Sequence, residues 1–183
     1  MKQVRYIAIA LLLVAILVLG PLVWQSLSSG ESTSKAQSFD HIYTSWDTME
    51  FDKCVAAWLI IRFVDKDARF VFYHQGSEID QGIPFDVPGA AWSRKHLKCT
   101  SQCILESLDK PDPAIKKVVS ITGKTELNFW QLDRWPEAQK YFYELKAIID
   151  KNPEPNECFQ KAFLYLDKLY SDFKKTDFAD SDI

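Results

Sequence analysis

The sequence predicts an α/β fold, with α+β as the neighbouring description. A small, mostly parallel sheet grows from one βαβ unit and is followed by a helical C-terminal half. Three observations predict this. Phe39–Trp46 and Arg69–Tyr73 are rich in the aromatic and β-branched residues that suit strands. Between them, Asp52–Asp65 contains no Gly or Pro and reads as a helix. Beyond Asp112, Pro and Asn signals open one helix-length segment after another. Strand, helix and strand within roughly 35 residues imply a right-handed crossover and a parallel pair.

Lys2 and Arg5 precede nineteen uncharged residues, Tyr6 to Trp24. That length is about enough to cross a hydrocarbon core, and leading positive charge keeps the N-terminus inside. Residues 1–25 therefore read as a transmembrane anchor or a signal peptide. The apolar run is longer than the roughly 7–15 residues usual for a signal core, and Ser26-Leu27-Ser28 is a loose cleavage site. Residues 26–38 are Ser-rich and polar, a flexible linker. The globular domain is expected over 39–175, with an acidic, frayed tail at 176–183.

Asp52 reads as the N-cap of the first helix. Val55, Ala56, Leu59, Ile60 and Phe63 form a broad apolar stripe. Trp58 and Ile61 widen it, so this helix should be covered on most sides. Arg62, inside the apolar block, should meet Asp65, Asp67 or Asp86, because Asp52 lies about 15 Å back along the axis. Gln75–Pro84 is a Gly-punctuated surface loop. Two prolines confine any strand in Ile83–Gly89 to a short or edge one, and Ala90–Ser93 reads as another short strand. Thr100 or Ser101 should cap a helix to about Leu108. Asp112-Pro113 opens the next, which Gly123 ends. Asn128–Trp135 is aromatic and irregular. Pro136 opens a helix to about Asp150, Asn152–Pro155 turns, and Asn156 caps a last helix. In that helix Phe159, Phe163, Leu166, Leu169, Tyr170 and Phe173 recur at helical spacing. The stripe is most simply core, with a partner-binding face as the other reading.

A net charge of −3 argues against a general nucleic-acid binder. There is no P-loop, GxGxxG or GxSxG. His41, His74 and His96 lack ligand-like spacing, so no metal or cofactor is expected. Cys54, Cys99, Cys103 and Cys158 form an even set, and export would permit two disulfides in any of three connectivities. Cys99 and Cys103 are poorly placed for one on a regular helix. Cys54 and Cys158 could pair if their helices pack. Four free, buried thiols are the alternative.

The most suggestive cluster is Arg94, Lys95, His96, Lys98 and Cys99, just ahead of a helix start. A helix N-terminus and an Arg fork both suit an oxyanion. An exposed Cys99 would be favoured as thiolate by the same field. Arg62 could face the same cleft. The plain alternative is a solvated basic loop with Cys99 packed inside or disulfide-bonded.

Several of these residues carry a family resemblance. Asp52-Lys53, Ala57-Trp58-Leu59-Ile60, Arg62-Phe63-Val64-Asp65 and Ala68-Arg69-Phe70-Val71-Phe72 resemble the opening block of the chromate-resistance protein B C-terminal domain. Phe85-Asp86-Val87-Pro88-Gly89-Ala90, Trp92, Ser93 and Lys98-Cys99-Thr100 are similar to its second block. Leu164-Tyr165-Leu166-Asp167-Lys168-Leu169-Tyr170 lies near its C-terminal Tyr-Asp-Ala-Leu-Tyr. The resemblance makes Asp52, Trp58, Asp65, Phe85, Asp86 and Gly89 the motif residues. The chain departs from it at Arg94, where the family has His, at Ser101, where it has Phe, and at Gln102, where it has Glu. No His stands near Ser120–Gly123, where the family has a His-x-x-Asp. Any site the family builds from those His and Glu side chains is lost here.

The resemblance implies a link to chromate stress. The expectation is an exported or membrane-anchored domain that binds a small oxyanion such as chromate or acts as a stress-response accessory. A regulatory half that other members carry is replaced here by the apolar segment, so transcriptional control is not expected. One alternative is a thiol- or metal-dependent redox enzyme of the envelope, with Cys99 as its weak catalytic candidate. Another is an interaction scaffold for an envelope protein. The expected partners are the membrane through residues 1–25, an oxyanion and an envelope protein. The expected location is the inner membrane with the domain in the periplasm, or the free periplasm after cleavage.

Overall fold

The structure, a computed structural model, describes residues 40–181. The anchor or signal segment, 1–25, and the linker, 26–38, lie outside those residues. Among the described residues no helix is long and apolar enough to cross a membrane.

Strand β1 (Ile42–Trp46) leads into helix α1 (Phe51–Leu59), which widens into a π-helical turn (Ile60–Val64) before β2 (Arg69–Tyr73). Strand β3 (Ile83–Pro84) completes a three-stranded sheet of order β2-β1-β3. Both pairings are parallel, with Ile42 opposite Arg69 and Tyr43 opposite Ile83. The βαβ unit is therefore as the sequence implies. Ala90–Ser93 forms no named strand; Trp92 makes a single bridge to Phe85. Gly82 has φ +78°, and a Cβ there would meet Thr44 Cγ2 at 2.6 Å, so only glycine lets the chain return this close to β1.

Helices α2 (Thr100–Ser107), α3 (Pro113–Leu127), α4 (Pro136–Lys151) and α5 (Pro155–Ser181) follow, with a 3-10 turn over Phe129–Arg134. All nine residues of α1 are buried, because α1 packs against each of the other four helices. The stripe of α5 is core: Phe159, Phe163, Leu166, Leu169 and Phe173 are all buried. It meets the sheet through an aromatic layer in which the Phe70 and Phe72 rings stand edge-on to Phe159 at 5.2 and 5.1 Å.

Several helix signals act differently from their local reading. Glu50, not Asp52, precedes the first turn of α1, and its side chain makes no cap bond. Cys99 is the N-cap residue of α2, and the Gln102 side chain reaches back to its N–H at 2.9 Å. Gly123 does not end α3, which runs on to Leu127. A Cβ at Gly123 would meet Gln102 Nε2 at 2.9 Å, so this glycine makes room for the Gln102 amide between α2 and α3. Glu154 caps α5 by accepting from Glu157 N–H at 2.7 Å, and Asn156 lies inside the helix. That helix continues through the acidic residues to Ser181 instead of fraying at 176. Asp112 caps α3 as expected, accepting from Ile115 N–H at 2.8 Å.

Candidate functional site

The residues of the two main motif blocks converge where α1 meets the start of α2. The Asp52 carboxylate is buried and accepts from the backbone N–H groups of Thr100 at 2.5 Å and Ser101 at 3.0 Å. Asp52 thus caps α2 from a neighbouring helix. The free N–H groups and partial positive charge that would suit an external anion are already used by a protein carboxylate. The short β3 region and its following turn bring Asp86 to the same place, where Thr100 Oγ1 donates to it at 2.6 Å. Lys53, also buried, donates to the carbonyls of Trp46 (2.8 Å) and Thr48 (2.6 Å) and lies 3.7 Å from Asp86.

Burial pushes the Asp86 carboxyl up to about 6, with Asp52 and Glu50 adding to the rise and Thr100 and Lys53 opposing it. Glu126 on α3 is raised to about 7 by burial and by Asp52, against the pull of Arg94. Burial likewise lowers the Lys53 ammonium. Arg94 bonds Glu126 twice, to Oε2 at 3.3 Å and to the backbone carbonyl at 2.7 Å. Two carboxyls poised near neutrality around an ionic cap can hold and exchange protons. Without protonation their charges repel an anion.

Cys99 is completely buried, and burial pushes its thiol up to about 12, with Asp52 as the next cause. Its sulfur faces Ser101 Oγ at 3.3 Å. The exposed thiolate imagined for it is not formed. Cys103 donates to the Ser93 carbonyl at 3.5 Å. All four cysteines are free thiols.

Arg62 meets none of Asp65, Asp67 and Asp86. It forms a two-bond fork with Asp167 on α5, at 2.9 and 2.8 Å, beside the Trp58 indole N–H, which donates to the same carboxylate at 2.8 Å. The π turn carries Arg62 toward α5, an arrangement that local spacing does not encode. Arg62 and Arg94 thus serve different elements. Asp65 instead holds His41, 2.8 Å away, and these two with Asp67 keep their ligand-type atoms within 4.8 Å of one another, a grouping that sequence spacing did not suggest. Phe85 is buried beneath the sheet edge and Gly89 turns the following loop at φ +84°.

Lys95 and Lys98 pair across a tight turn whose residues, including His96, are exposed. Lys98 is tied to Glu106 at 2.5 Å. Below the turn, α2 and α3 enclose a groove of about 490 Å³. Lys98, Lys116 and Lys124 line it with Gln102, Ser120 and Asn128; Glu106 is its one acid. Glu126, Lys116 and Lys124 escaped the sequence reading, and Lys53 stood in it without a site role. Lys53 was legible as the partner of Asp52 in the first motif block; the others carry no local signal.

The site defines a class: a small α/β domain whose helix junction encloses a cluster of linked charges. The family model for the ChrB C-terminal domain matches residues 43–173, and the chain belongs to that family, the chromate-resistance protein B C-terminal domain. No curated protein and no solved structure matches it.

Proposed function

We propose that this chromate-resistance-related domain is a non-catalytic accessory of the cell envelope that holds a small oxyanion, chromate or a similar dianion, in the groove between α2 and α3. The observation that carries the reading is the groove lining, in which three lysines, a single acid and the polar Gln102, Ser120 and Asn128 stand among the apolar Leu97, Leu105, Val119 and Leu127. Lysines along a partly enclosed void supply positive charge that draws a dianion, with Lys98 held by Glu106 and the Lys124 ammonium resting 5.9 Å from the Trp135 ring until an anion recruits them. Arg94, Lys95 and His96 lie on the turn leading into the groove and add to the steering field. Asp52 keeps the anion off the N-terminus of α2, so the site is one groove away from where the sequence suggested. Redox catalysis by Cys99 is disfavoured because that thiol holds its proton. Export rests on the apolar run Tyr6–Trp24.

The test is a thermal melt of the full chain in mild detergent against chromate, sulfate, phosphate and divalent cations. Chromate or sulfate at about a hundred times its Kd should raise Tm by several degrees. The shift should shrink with added salt and vanish in the Lys116→Ala, Lys124→Ala double variant. No anion shift, or one unaltered in that variant, overturns the reading. The scaffold reading keeps one observation, the neighbouring rings of Phe129 and Trp130, which are 66% and 64% exposed. It predicts that the Trp130→Ala variant folds but loses an envelope protein partner.

A further inference from the structure

Helices α1 and α5 run side by side in the same direction, and their contacts set a register. Trp58 bonds Asp167, 109 residues on, and Arg62 bonds the same residue, 105 on. The Phe63 ring, next in line, packs edge-on against Tyr170 at 5.6 Å. Counted back from Arg62 and Asp167, eight residues on α1 and nine on α5, or about 12 and 13.5 Å along the two axes, this packing brings Cys54 on the first turn of α1 near Cys158 on the first turn of α5. Cys54 and Cys158 are both fully buried, as are Ala57 and Ala162 on the same two helices. The two thiols act on each other's ionisation, Cys158 holding Cys54 up and Cys54 holding Cys158 down. Cys99 and Cys103 engage Ser101 and the Ser93 carbonyl instead.

From this register we infer that Cys54 and Cys158 are a disulfide-forming pair, the one redox-modifiable site among the described residues, and that Cys99 and Cys103 stay reduced. Each sulfur gives up one proton and one electron as the S–S bond forms. With glutathione disulfide as oxidant, the two electrons and two protons convert it to two thiols. The bond would tie the first helix of the core to the last, closing a long loop of chain. The redox state of the compartment would then set whether those helices are cross-linked. This inference is independent of the anion groove.

The experiment refolds the full chain in detergent with a glutathione and glutathione disulfide buffer, then alkylates it under denaturing conditions and maps the peptides by mass. The expected result is two alkylated cysteines, Cys99 and Cys103, with Cys54 and Cys158 in one linked peptide that reductant releases. The oxidised chain should melt several degrees above the reduced one. That redox difference should be absent in Cys54→Ala and in Cys158→Ala. Four alkylated cysteines, a Cys99–Cys103 link, or glutathione bound at Cys54 or Cys158 without a link between them would overturn the inference. The wild-type map decides it even if a variant fails to fold.

Discussion

Arg62 with Asp167 and Arg94 with Glu126 are the same chemical pair in two settings, and their carboxylates move in opposite directions. Asp167 sits at the edge of α5, where the Arg62 fork lowers its pKa. Glu126 sits over the buried junction of α1 and α2, where desolvation and the Asp52 charge lift it to about 7 in spite of Arg94. One arginine is paired with a carboxylate that stays ionised, the other with a carboxylate that titrates near neutrality. A salt bridge therefore stabilises or poises according to its surroundings. The first region holds helices together, and the second can respond to protons.

The comparison breaks most sharply at Asp52. Asp52→Ala should cost about 3 kcal/mol in urea unfolding, because it leaves two buried N–H groups of α2 unpaired. Asp52→Asn, which keeps an acceptor, should cost less. Next comes pH. The folded pKa values of Asp86 and Glu126, about 6 and 7, lie above their ordinary values of 3.8 and 4.5. The protonated forms are thus favoured on folding, and the stability they supply is full below about pH 4 and lost as pH rises to about 7. The expected fall is a few kcal/mol, up to about 6 if both shifts act in full. Glu126→Gln should flatten about half of that slope in melts across pH.

The α1–α5 edge should respond less. Asp167→Ala should cost about 1–2 kcal/mol, since it also orphans the Trp58 indole N–H. Arg62→Ala, at a pair whose side chains are both 39% exposed, should cost under about 1 kcal/mol and lose its effect in high salt. Gly123→Ala sharpens the other side. Its methyl would press on Gln102, and the helix-propensity gain only partly offsets the clash, so a net loss of about 1 kcal/mol is expected. Adding Gln102→Ala should recover it, as a double-mutant cycle would show.

Some local signals held because their cause is local. Alternating β-branched and aromatic residues needed no partner to mark β1 and β2, and Asp112-Pro113 carries its own cap geometry. The stripe of α5 was legible because helical spacing places Phe159, Phe163 and Leu166 on one face whatever lies opposite. Asp52 was misread because an N-cap residue can act on a neighbouring helix as readily as on its own. Gly123 was misread because glycine that ends a helix and glycine that makes room for a neighbouring side chain are the same letter. The candidate site was half legible: the motif blocks pointed to Asp52, Asp86 and the turn at Arg94, while Glu126, Lys116 and Lys124 come from a helix with no motif.

By itself the sequence determined the βαβ unit, the buried first helix, the helical second half and the family, since periodicity, turn chemistry and motif order are properties of the chain. Only the tertiary structure decided which charges meet. Ion pairs between residues 105 apart, a carboxylate that caps another helix and carboxyls raised to near neutrality all depend on distance and burial. Those quantities exist only once the helices have packed.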